Sequence, residues 1–124
     1  MRQQLSTKTV RLSFLIDSVI SVAYKRHVEY EVLTTEAFED WLGGRTAKVR
    51  EIVATRIVRF QSGLFGDVKA LGEKVSEMRI DYGPGYRVYY TIRDRVLIIL
   101  LCGGEKKTQG KDIKTARRLA AEIE

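Results

Sequence analysis

Two alternating runs on either side of Gly83-Pro84-Gly85, followed by a run that is apolar throughout, constrain this chain more than any other feature. From Val75 to Tyr82, Glu77, Arg79 and Asp81 fall on one side, and Ser76, Met78, Ile80 and Tyr82 on the other. From Tyr86 to Arg93, Arg87, Tyr89, Thr91 and Arg93 share a side opposite Tyr86, Val88, Tyr90 and Ile92. A period of two is the signature of a strand, and Gly-Pro-Gly is a turn signal. After Arg93-Asp94-Arg95, Val96 to Cys102 offers no polar face, as a strand covered on both sides requires. The sequence therefore predicts three successive strands joined by short turns.

Ahead of them the period changes. Glu29 to Leu33 reads as a short strand. Thr34 or Thr35 is placed to cap a helix that carries Glu36, Glu39 and Asp40 near its positive end and buries Phe38, Trp41 and Leu42, with Gly43-Gly44 as its stop. A second helix runs from about Thr46 to Gln61 on the stripe Val49, Ile52, Val53, Ile57 and Phe60. Residues 62 to 74 read as a glycine-containing loop carrying Leu64, Phe65, Val68 and Leu71. Beyond Cys102, Gly103-Gly104 leads into a polar loop and a last helix with Ile113, Ala116, Leu119 or Ala120, and Ile123 inward. The expected order is β-α-α-β-β-β-α, preceded by a leader, residues 1 to 28.

The chain is 124 residues long, enough for one domain of modest size and too short for separate cofactor and substrate domains. The single Cys102 excludes an internal disulfide and a cysteine-based zinc site, and the single His27 excludes a histidine-pair metal site or a mechanism with two imidazoles. The formal charge of +6 is unevenly placed. Arg2, Lys8, Arg11, Lys25 and Arg26 face only Asp17 in the leader, whereas Glu29, Glu31, Glu36, Glu39 and Asp40 form an acidic stretch without a base. The leader's apolar run, Leu12 to Tyr24, is broken by Asp17 and shorter than the ~20 residues that span a bilayer. It reads as an added helix, as residues upstream of a native start near Val28, or as a membrane anchor, in that order.

The strand faces hold the candidate chemistry. Arg79, Arg87, Lys106 and Lys107 suit phosphate, the arginines through bidentate hydrogen bonds and the lysines as point charges. Tyr89 offers a ring for base stacking. The same residues equally describe a solvated sheet face laced with cross-strand ion pairs, and Lys106-Lys107 an ordinary solvated loop.

The run Ser76-Glu-Met-Arg-Ile-Asp-Tyr-Gly-Pro-Gly-Tyr-Arg-Val-Tyr-Tyr90 resembles the signature hairpin of toxins of the RelE/ParE superfamily, closest to HigB-like addiction module killer proteins. Residues 30 to 42, 66 to 72 and 100 to 109 support the likeness, which covers about residues 29 to 124. It implies an α+β fold: a small, mostly antiparallel β-sheet with two N-terminal helices, a C-terminal helix and a cleft on the exposed sheet face. It also implies the cytoplasmic toxin half of a type II toxin–antitoxin pair, neutralised by a helix-turn-helix antitoxin, with no membrane and no small-molecule cofactor.

RelE-like members cut mRNA on the ribosome by attack of the 2′-hydroxyl on the adjacent phosphate, without a metal. Carried over by motif, Arg87, Arg79 and Lys106 become catalytic residues, and Lys107, Tyr89 and Gln109 RNA-binding residues. Two departures stand out: Glu77 occupies a position where relatives carry a base, and the C-terminal acid of the family falls among Gln109, Lys111 and Asp112. A gyrase poison of the ParE kind without nuclease chemistry, or an inactive member that only binds its antitoxin and operator, fits the same resemblance.

Overall fold

The computed structural model describes residues 29–123, so the readings of the leader lie outside the described residues. The elements are β1 (Glu31–Thr34), α1 (Glu36–Gly43), α2 (Ala47–Gln61), β2 (Val68–Gly72), β3 (Val75–Ile80), β4 (Tyr86–Arg93), β5 (Leu97–Glu105) and α3 (Gln109–Glu122), with one 3-10 turn at Lys106–Thr108. The five strands form one sheet in the order β1-β5-β4-β3-β2. β1 runs parallel to β5, and every other pair is antiparallel. This is the α+β architecture expected, with one strand more.

The extra strand is β2, inside the stretch read as a loop. It is an edge strand with exposed Lys69 and Ala70, so little apolar alternation is demanded of it. The other boundary correction concerns β5, which continues through Gly103-Gly104 to Glu105 instead of ending at Cys102.

Local chemistry explains the helix ends. The Thr35 hydroxyl accepts from the Phe38 amide at 3.1 Å and donates to the Leu101 carbonyl at 2.5 Å, so one side chain caps α1 and ties it to β5. Thr46 caps α2 through the Val49 amide. α2 ends in a Schellman arrangement: Gly63, at φ 81°, donates to Phe60 and the next amide, Leu64, to Arg59. Gly44, in contrast, caps α1 in the right-handed region, so the double glycine stops that helix without a left-handed residue.

The sheet is covered on both faces. α1 and α2 bury Phe38, Val53, Ile57 and Phe60 against Val32, Met78, Val88, Tyr90, Ile98 and Leu100. α3 buries Ala116, Leu119 and Ala120 against Val75, Tyr89, Ile99 and Leu101 on the reverse. The reverse face, expected to be open to solvent, is therefore largely core. Both covers explain why β5 is apolar without alternation.

Candidate functional site

The β3–β4–β5 register sets the reverse face into rows. Glu77 pairs with Tyr89, and Tyr89 with Cys102; one step toward the Gly-Pro-Gly turn, Arg79 pairs with Arg87, and Arg87 with Gly104. α3 begins at Gln109, directly above Glu77. Its cover buries Glu77 and Tyr89 completely, while the side chains of Arg87 and Arg79 keep 13% and 35% of their exposure. The cationic row thus lies at the rim where the helix begins.

Glu77 is the charged residue that is fully buried among the described residues. Desolvating a carboxylate costs several kcal/mol unless partners compensate. Here Arg79 Nε donates to Oε2 at 2.9 Å, Gln109 Nε2 donates to Oε1 at 2.8 Å, and Arg87 Nε stands 4.0 Å from Oε1. Like charges directly opposite on a sheet repel, and the carboxylate beside Arg79 and Arg87 offsets that repulsion. Arg56 of α2 supports the row from the other side. Its guanidinium donates to the carbonyls of Arg79 at 2.6 Å, Phe65 at 3.2 Å and Asp67 at 3.3 Å, which anchors the approach to β2 on the backbone of β3.

Arg87 also donates through Nη1 to the Tyr86 carbonyl at 3.2 Å. The Lys106 amide donates to the Gly85 carbonyl at 2.7 Å, which brings the loop after β5 to the β3–β4 turn. A Cβ on Gly85 would lie 3.5 Å from both Arg87 Nη1 and the Lys106 Cβ, and its φ of 81° is one that side chains disfavour. The Gly85 turn, favoured as glycine by its positive φ, thus lies beside both Arg87 Nη1 and the Lys106 Cβ.

Of the residues expected from sequence, Arg79, Arg87 and Lys106 are brought together. Lys107 is exposed nearby, with its Nζ 3.7 Å from a Glu105 carboxylate oxygen. Two expectations are corrected. Tyr89 cannot stack on a base, because its ring is buried under α3; its hydroxyl has no hydrogen-bond partner among the described residues. Burial above all, then the nearby Glu77 and Asp112 carboxylates, pushes that phenol well above its ordinary range. Gln109 spends its amide N–H on Glu77 and is a strut within the protein before it is a contact for anything else.

Glu77, which the sequence reading named only as a departure from pattern, is the residue the structure adds to this row. The available signal was its i, i+2 spacing from Arg79 on a face shared with Arg87. Asp112, in the first turn of α3, lies 2.5 Å from the Thr108 hydroxyl and packs so closely on β5 that a Cβ on Gly104 would collide with its carboxylate. Gly103 serves the opposite face, where Trp41 occupies the space a Cβ would need. Cys102 is buried with its thiol pushed up to about 12, chiefly by that burial, which makes it a poor nucleophile. Among the described residues no group of three or more His, Cys, Asp or Glu side chains is placed to hold a metal ion, and no helix is long and apolar enough to cross a membrane.

The model of the family "Phage derived protein Gp49-like (DUF891)" matches residues 40–123, a span holding Glu77, Arg79, Arg87, Lys106 and Gln109. An uncharacterized protein of Haemophilus influenzae is 46% identical over 94 residues, which is 75% of this chain and 95% of that relative. The chain therefore belongs to the phage-derived Gp49-like family, a family related to the toxins of toxin–antitoxin systems.

Proposed function

We propose that this protein is a cytoplasmic toxin of the RelE/HigB kind: a ribosome-dependent mRNA endonuclease neutralised by a cognate helix-turn-helix antitoxin. The observation that carries the reading is the convergence of Arg79, Arg87 and Lys106 at the open rim of a face otherwise sealed by α3. Cleavage by the neighbouring 2′-hydroxyl builds up negative charge on the equatorial phosphate oxygens. Fixed cations aimed at that charge are the largest single aid a protein gives such a step. In this reading Arg87, the more enclosed of the two arginines, binds the phosphate in the transition state. Arg79 shares the charge, Lys106 closes the site from the loop after β5, and Lys107 meets the RNA backbone. Membership in a toxin-related family supports the physiological half of the reading.

Arg87→Ala tests it. Loss of this guanidinium is expected to lower transcript cleavage on ribosomes by about 10²- to 10³-fold and to abolish growth arrest, with folding and antitoxin binding intact. A variant that stays fully toxic would show the site to be misassigned. Induced expression that breaks DNA through gyrase and leaves transcripts whole would replace the nuclease by a gyrase poison. Absence of any growth effect would reduce the protein to a binding partner of its antitoxin.

A further inference from the structure

Glu77 is set where it cannot touch an RNA, yet it reaches the two groups that would. Its side chain has 0% exposure, and its oxygens are taken by Arg79 Nε at 2.9 Å and Gln109 Nε2 at 2.8 Å, with Arg87 Nε at 4.0 Å. An arginine held by Nε loses rotation about its long axis, while its terminal nitrogens lie outside that bond. Arg87 Nε is itself buried without a hydrogen-bond partner, and the Glu77 carboxylate, 4.0 Å away, is the acidic group that faces this edge of the guanidinium.

We infer that Glu77 is a positioning residue of the candidate site: it fixes the Arg79 guanidinium by a hydrogen bond through Nε and holds the Arg87 guanidinium by charge alone, with Gln109 as the strut that keeps the carboxylate in place. The inference deepens the nuclease reading and rests on it. A solvated ion pair of similar composition would contribute little and leave the arginines free to turn. Burial beneath the first turn of α3 makes this one a fixed brace, and misplacement of a reacting group by about 1 Å is enough to lower a rate by ~10²-fold.

The test is Glu77→Gln in single-turnover cleavage of mRNA on ribosomes. The amide keeps the volume, loses the charge and sets a second N–H donor against those of Arg79 and Gln109. The expected result splits rate from binding: the cleavage rate falls about 10- to 100-fold, whereas RNA affinity holds or tightens because a negative charge near the phosphate has gone. The pH profile keeps its shape. Rate and affinity falling together would mean that Glu77 only maintains the fold. A profile that loses a limb would make it the general base, and an unchanged rate would leave it without a role; each overturns the inference.

Should Glu77→Gln fail to fold, Gln109→Leu loosens the brace from the rim and is expected to give the same split, a few-fold in size. Exchange of the Arg79 Nε proton, followed by nitrogen NMR, reads the brace without any activity. Protection present in the wild type and lost in Glu77→Gln supports the inference even if no transcript is cut, in which case the nuclease reading alone falls. Protection that does not depend on Glu77 overturns the inference whatever the protein cuts.

Discussion

Tyr89 and Cys102 face each other across β4 and β5 under α3, and both are acids kept neutral by burial. A phenol without a partner gains nothing from its oxygen. Tyr89→Phe is therefore expected to be neutral or to stabilise by up to about 1 kcal/mol in chemical denaturation, with RNA affinity unchanged; weaker RNA binding would return the ring to the contact surface. The pH dependence has a definite sign. Both groups have folded pKa values above their ordinary ones, so between the two values the folded state holds more protons than the unfolded chain, and stability falls as pH rises. For Cys102 that window runs from the ordinary 9.0 to about 12. Cys102→Ala should flatten the fall in Tm between pH 9 and about 12, and an equally steep fall would show the thiol to be accessible. Alternation alone placed Glu77, Arg79, Arg87 and Tyr89 on a common face. It could not say which of them lie beneath α3, because the footprint of a helix is decided by its packing and not by the strands it covers.

At the scale of elements, the strands carrying a packed face were legible and the one without was not. β3, β4 and β5 declare themselves because at least one side of each must be apolar. β2 presents Lys69 and Ala70 to solvent and turns into β3 through Glu73-Lys74, both at positive φ, where asparagine and glycine are the usual signal. Asp94-Arg95 makes the same kind of turn between β4 and β5, with φ of 53° and 66°. It was readable only from the strands on either side. Left-handed backbone at a residue with a Cβ costs about 1–2 kcal/mol. Arg95→Gly should recover part of this, about 0.5–1 kcal/mol, seen as a higher denaturation midpoint at unchanged slope. A lower midpoint would mean that the arginine makes contacts worth more than the strain. The Gly103-Gly104 pair reads in sequence as a break, yet in β5 it opens one face to Trp41 and the other to Asp112. Side-chain space of this kind has no periodicity to betray it.

For the molecule as a whole, the formal charge of +6 is a poor guide to function. The candidate site uses only a few cations at the α3 rim, two of them beside a buried acid, and only the strand pattern with the family likeness pointed there. The layout also bears on how the chain reaches its native state. β2 to β5 form a meander of neighbours, joined by turns that close quickly. β1, in contrast, pairs with β5 in parallel, and Thr35 bonds Leu101 across 66 positions of sequence. Distant pairings pay loop-closure entropy before they return any stability, so they form late. Val88→Ala in β4 should slow folding, with a φ-value near 0.5–0.8, whereas Val32→Ala in β1 should chiefly speed unfolding, with a φ-value of about 0–0.3. The reverse ranking in a chevron analysis would place the nucleus around β1. On a ribosome making this chain, β1, α1 and α2 emerge before the strand that receives them exists. Phe38, Val53, Ile57 and Phe60 then wait, exposed, until β5 has been synthesised, and the nascent protein must stay soluble through that interval.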